Sequence, residues 1–360
     1  MKMMVLRIGI ILTLILIVAL PYSVHGDQLS IDDCNESQLE TILTRAQNGD
    51  RISFNCSGLI LITRPKIIDR NILLDGTAQQ VTLSGNDAQQ VFVVNANASL
   101  TLSTLTIIGG QSNGLGGGIF NRGTLIVART TFKQNKHGII NFGTLTVSES
   151  SFIDNQGDGI YNSGTLTVKR STFVRNKHGI DNASGEVEII NSTFVANQAP
   201  PGQIGGAIAN AGVLTIVGST FADNVASGGG GAIANRFHSK ASIQNTIIFT
   251  SNNDPNCFGT TFDEGYNVQY PGTTCGPTIP VADPKLLPLA DNGGSTETTG
   301  LQVGSPAIGS GDALLCQSKQ DNVDQRGIVR IAGNDKTCDI GAFEFNATFI
   351  EPTAAATESP

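Results

Sequence analysis

The chain repeats itself about every 20 residues through its middle, and no other feature limits its fold so sharply. The segment GTLIV at 123–127 returns as GTLTV at 143–147 and 164–168, and in weaker form as GEVEI at 185–189 and GVLTI at 212–216. A Ser or Thr followed by Phe recurs with Phe132, Phe152, Phe173, Phe194 and Phe221. Three residues beyond each phenylalanine stands an asparagine: Asn135, Asn155, Asn176, Asn197 and Asn224. A third element, Gly-(Ala)-Ile followed shortly by Asn, supplies Asn121, Asn141, Asn162, Asn182, Asn210 and Asn235. Three elements that keep register through five or six copies define a repeated structural unit.

Element length identifies the unit. Each element is a few residues of alternating character, as in TLTV, where Leu and Val face one way and Thr the other. Such pieces are too short for helices and too regular for loops. Three short strands and three turns per repeat describe one coil of an all-β, single-stranded parallel β-helix. Coils stack at the strand spacing of ~4.8 Å, so like positions superimpose. The phenylalanines become an internal aromatic stack. The two asparagine series become corner ladders, Asn being tolerant of left-handed backbone and able to bond amide to amide. A β-propeller or sandwich would need antiparallel hairpins with tight turns, and a propeller repeat is longer, at ~40 residues.

Composition agrees and excludes other classes. Charged residues are 14% of the chain, against roughly a quarter in ordinary domains. A net charge of −8 argues against a nucleic-acid partner, which requires a basic surface. The hydrophobic share of 39% is too high for a disordered chain.

The ends divide the rest. Residues 1–26 carry Lys2 and Arg7, an apolar run from Ile8 to Leu20 and small residues Val24 and Gly26, the pattern of a cleaved signal peptide. No membrane span is expected in the mature chain. Residues 27–50 form an N-terminal cap, with Leu39, Ile42, Leu43 and Ala46 at helical spacing. The β-helix is expected over 51–250, a C-terminal cap over 251–346 and a Thr/Pro/Ala-rich tail over 347–360. Cys34, Cys56, Cys257, Cys275, Cys316 and Cys338 suit disulfides in an oxidising compartment. Six cysteines allow many pairings; pairing between sequence neighbours is the expectation.

The stretch GDRISFNCSG at 49–58 and LLDG at 73–76 resemble secreted bacterial right-handed β-helix repeat proteins. DPKLLPLADNGGSTETTGL at 283–301, GSPAIGSGD at 304–312, DQRGIVR at 324–330 and CDIGAFEF at 338–345 resemble the choice-of-anchor β-helix proteins, which overlap with polymorphic outer-membrane and adhesin-like repeats. The resemblance implies a right-handed solenoid of the pectate-lyase-like fold, secreted or held at a cell surface. It implies no particular reaction.

β-Helices also include polysaccharide-degrading enzymes. The paired aspartates of polygalacturonase-like enzymes have no counterpart on a coil, since Asp32-Asp33 precedes the repeats. Aligning the coils instead places His137, Asp158 and His178 at equivalent turns. Stacked, two imidazoles and a carboxylate could hold a metal or poise a base near neutrality. Asp154 aligns with Arg175, and Lys136 with Lys177, so Asp154, Asp158, Arg175 and Lys177 are the candidate catalytic groups. The leading expectation is a secreted or cell-surface β-helix, monomeric and without a cofactor, serving adhesion, ligand binding or structure. Its partner would be an extracellular polysaccharide or a surface protein. The alternative is a carbohydrate-active enzyme, a polysaccharide lyase or glycoside hydrolase; a lyase would call for Ca²⁺.

Overall fold

A computed structural model describes residues 28–111, 117–236, 238–252, 254–331 and 336–345. The expected signal peptide at 1–26 and the tail at 347–360 lie outside the described residues. The described chain winds into a right-handed-type parallel β-solenoid of about 10 turns. Its strands stack into three parallel sheets of 11, 9 and 10 strands. One coil runs through Ile139–Asn141 on the first face, Thr144–Ser148 on the second and Ser151–Ile153 on the third. Each strand pairs in register with its equivalents one coil away, as Leu145 does with Leu125 and Leu166.

Alternation decides what points inward. On the second face Leu125, Val127, Leu145, Val147, Leu166 and Val168 fill the core while the intervening residues face out. On the third face the phenylalanines are fully buried and stack ring over ring. Successive centroids from Phe132 to Phe221 lie 4.9, 4.7, 4.6 and 4.9 Å apart. Gly159 makes room for them: a Cβ there would sit 3.0 Å from the Phe173 ring and 2.6 Å from the Gly179 carbonyl oxygen.

Both asparagine series are buried ladders. From Asn121 to Asn235 each Nδ2 donates to the next Oδ1 at 2.7–3.0 Å. From Asn135 to Asn224 the same bond recurs at 2.8–3.0 Å. The remaining amide capacity closes the turns, as when Asn162 Oδ1 accepts from Gly164 N and its Nδ2 donates to Gly164 O. The reason given for asparagine from sequence needs correcting. In the ladder from Asn135 the left-handed residue is the one before the asparagine: Gln134, Asp154, Arg175, Ala196 and Asp223 have φ of 51–55°. Asparagine is selected by amide stacking in the interior.

The ends also differ from expectation. Helix α1, Glu36–Arg45, is capped by Asn35 and buries Leu39 and Ile42 against the first coils. The strand Gln28–Ile31 before it already pairs with Asp50–Phe54, so the first rung of the second face lies inside the expected cap. At the other end the solenoid does not stop at 250. Cys257–Phe258, Phe262–Asp263 and Val268–Tyr270 add a further coil. Sequence-neighbouring cysteines pair throughout: Cys34–Cys56, Cys257–Cys275 and Cys316–Cys338. The Cys257–Cys275 bridge ties this last coil to residues whose Cys275 and Ile279 close the main core.

The segment beyond is a flank instead of an end plug, and it runs back along the outside of the third face. Gln325 bonds the outward hydroxyls of Thr172 and Thr193 at 2.7 and 2.6 Å. Ala342 N donates to Thr220 Oγ1, and Gly341 N to Asn245 O. Helix α2, Ala313–Ser318, packs Leu315 on Ile190 and Val217. The buried Arg330 guanidinium joins Asn191 of the solenoid to Glu344 of the flank at 3.1 and 3.0 Å. Asp324 and Arg326 form a buried pair at 2.7 Å, with the guanidinium over the Phe343 ring. Outward Thr residues are buried because this segment covers them.

Two outcomes follow. Asn162→Ala should cost about 1–3 kcal/mol, the range for breaking buried hydrogen bonds, while Phe173→Ala should cost about 3–5 kcal/mol; denaturant unfolding checks both. Burial, then the Asp339 charge, pushes the Glu344 carboxyl up to about 7 against the attraction of Arg330. A carboxyl raised on folding contributes stability below its unfolded value of about 4.5 that is lost as pH rises through about 7. Amide exchange of the flank should therefore quicken relative to the solenoid across that window, and Glu344→Gln should flatten the change.

Candidate functional site

The third face is covered from Thr172 to Thr220, and the first face carries a groove of about 500 Å³. Its floor is the outward side of the strands Ile139–Asn141, Ile160–Asn162 and Ile180–Asn182, which presents Ile140, Tyr161 and Asp181 in register. The turns entering those strands form one wall and bring Lys136, His137, Asp158, Lys177 and His178 into it. A longer turn in the next coil contributes Pro200 and Gln203.

Register assembles the wall. In the flanking coils the sequences from the ladder are Asn135-Lys136-His137-Gly138 and Asn176-Lys177-His178-Gly179. The coil between reads Asn155-Gln156-Gly157-Asp158-Gly159, one residue longer. The extra residue must be small: a Cβ on Gly157 would meet the Lys136 carbonyl oxygen at 2.3 Å and His137 Nδ1 at 2.8 Å. It seats Asp158 between the two imidazoles. His178 Nδ1 lies 2.7 Å from Asp158 Oδ1, and His137 Nδ1 lies 3.1 Å from Oδ2. His137 Nδ1 is also 3.2 Å from the Asp158 amide nitrogen. It can donate to the carboxylate or accept from the amide, according to where its proton sits.

The electrostatics follow from this packing. Burial would raise the Asp158 carboxyl, but hydrogen bonds from His137 and His178, with their charges, outweigh it and hold the group at about 2. Burial first, and the Asp158 charge second, push the Asp181 carboxyl up, opposed by His178, Arg236 and His137.

The structure divides the candidates found in the sequence. His137, Asp158, His178 and Lys177 share the groove, joined by Lys136. Asp154 and Arg175 pair with each other at 2.7 Å at the start of the same turns and do not line it. Their pairing is the cross-coil ion pair the alignment implied, and it leaves neither group facing a ligand in the groove. The metal set changes as well: the side chains whose ligand atoms converge within 4.8 Å are Asp158, His178 and Asp181, not His137. Asp181 escaped the sequence reading because it sits in a strand, two residues past the glycine of the turn. Its signal was a charge in register with Ile140 and Tyr161. Beside the groove the rings of Phe142 and Tyr161 lie 6.2 Å apart, with Phe142 exposed. Phe120 is mostly buried and packs edge-on to Phe142.

No family model matches the chain, and no curated protein matches it. Among solved structures it is similar to the crystal structure of pectate lyase Pel9A. The TM-score is 0.56 at 14% identity, over 90% of this chain and 98% of that one. The crystal structure of jun a 1, the major allergen from cedar pollen, gives a TM-score of 0.43 at 13% identity, over 84% and 89% of the two chains. At 14% identity the first likeness is one of fold, a pectate-lyase-like parallel β-helix.

Asp158→Asn should destabilise the protein at neutral pH. A carboxyl depressed on folding contributes stability above its unfolded value of about 3.8 that is lost as pH falls through about 2. The gap between variant and parent should therefore close across that interval in acid-unfolding curves.

Proposed function

We propose that the chain acts outside the cell and binds an acidic, carboxylate-bearing polysaccharide along the first-face groove, in an adhesive or ligand-binding role. Export by the leader at 1–26 and kinship with choice-of-anchor β-helix proteins belong to the same reading; the three disulfides suit an extracellular setting. The observation that carries it is the meeting of Lys136 and Lys177 in one groove of an otherwise acidic protein. They stand two coils apart in one column, with Gln156 between them, or about 10 Å at the strand spacing. Lys177 makes no ion pair among the described residues. Ammonium groups meet sugar carboxylates there, while Tyr161 and the exposed Phe142 offer ring faces to the apolar side of a sugar. The groove runs across the strands and so along the solenoid axis, the direction an extended polymer needs.

A second reading is favoured by one detail. The Asp158–His178 contact leaves Nε2 of the imidazole as its basic nitrogen, the arrangement of a general base. In a polysaccharide lyase such a base removes the proton next to the uronate carboxyl, and a lysine offsets the charge that develops. Ca²⁺ does not fit this wall. It takes 6–8 oxygen ligands, carboxylates foremost, whereas the carboxylates lining the groove are Asp181 and an Asp158 already held between two imidazoles.

The test is a panel of uronate polymers and neutral glucans titrated against the purified protein, with absorbance of unsaturated product followed in parallel. Uronate polymers should bind, more weakly as salt rises. Lys136→Ala/Lys177→Ala should weaken binding roughly 10- to 100-fold, the equivalent of losing charged hydrogen bonds. Equal binding of neutral glucans, or an unaffected double variant, would refute the reading; unsaturated product would establish the lyase in its place.

A further inference from the structure

Two buried polar atoms at the groove have no hydrogen-bond partner among the described residues: His178 Nε2 and Asp181 Oδ1. Buried polar atoms are nearly always satisfied, and an exception marks a place where water or an ion belongs. His178 is 4% exposed, so bulk solvent does not supply the missing partner. The other side of its ring explains what kind of partner fits. Nδ1 lies 2.7 Å from Asp158 Oδ1, so the proton is held there and Nε2 carries a lone pair. A carboxylate behind one imidazole nitrogen with the other left bare is how metal-binding histidines are oriented. Asp181 belongs to the same cluster, one ligand atom each of Asp158, His178 and Asp181 lying within 4.8 Å of the others, and its burial beside the charge of Asp158 makes a cation the species that relieves it.

We propose that His178 Nε2 and Asp181 Oδ1 bind a divalent cation of the Zn²⁺ class, with Asp158 fixing the imidazole from behind and water filling the remaining coordination positions. The donors decide the class. One neutral imidazole with one carboxylate suits a borderline metal, whereas Ca²⁺ takes oxygen ligands. His137 is excluded from the set. It meets Asp158 from the opposite side, two coils from His178, and steadies the carboxylate. The site goes beyond polysaccharide binding and stands or falls without it.

The experiment is calorimetric titration of chelator-stripped protein with ZnCl₂ and no carbohydrate present. One ion should bind per chain. Asp181→Asn and His178→Ala should each abolish that binding. Asp158→Asn should weaken it about 10- to 100-fold, the usual effect of losing the group behind a metal-binding histidine, and His137→Ala should change it by less than about tenfold. Circular dichroism establishes that each variant is folded, and Asp181→Asn decides the matter if His178→Ala is not. Absence of zinc uptake, which would leave the two atoms to a bound water, overturns the proposal; so does uptake that Asp181→Asn leaves unchanged. Because no sugar is present, failure here leaves the polysaccharide reading standing, and failure of sugar binding leaves the metal site standing.

Discussion

In a parallel solenoid every side chain lies about 4.8 Å from the one at the same position in the next coil, and that constraint selects residues throughout this chain. Groups that attract their own kind can be repeated indefinitely. A primary amide donates on one side and accepts on the other, so asparagine runs through both ladders from Asn121 and from Asn135. Phenyl rings stack at the same spacing. Charges of one sign would repel at this distance, and the chain handles them by alternation. Glu149 lies between Arg129 and Arg170, Asp154 meets Arg175, and Asp158 sits between His137 and His178. The low charge content and the pairing of what charge remains have one cause.

The groove is a local departure from the same rule. Three successive coils could not have stacked a carboxylate between two histidines had all turns been identical. The extra Gly157 gives the middle turn the slack to aim Asp158 at both neighbours, and its lack of a side chain leaves room for the His137 ring. The flank settles which face remains available. By burying the outward hydroxyls of Thr172, Thr193 and Thr220, it removes the third face of those coils from contact with large ligands and leaves the first face open.

The repeat made the solenoid, the Phe stack and both ladders legible, because in this fold contacts in space are equivalences in sequence. It also brought His137, Asp158 and His178 together before any coordinates. What it could not show lies outside the repeat. Residues 283–345 have no period, so nothing in them told an end cap from a flank whose partners, such as Gln325 and Thr172, are far apart in sequence. Asp181 stayed hidden because strand position, not turn position, carries it into the groove. Asp154 and Arg175 were grouped with the site because alignment fixes which coils meet but not which end of a turn faces a cavity.

The claim on which the site depends is that coil stacking makes Asp158 hold the proton of His178 on Nδ1. Long-range ¹H–¹⁵N correlation spectra of the histidine rings measure this directly at neutral pH, without metal or sugar. The expected result is a His178 ring protonated at Nδ1 and bare at Nε2, with that preference lost in Asp158→Asn. A His178 ring protonated at Nε2 in the parent protein would contradict the account.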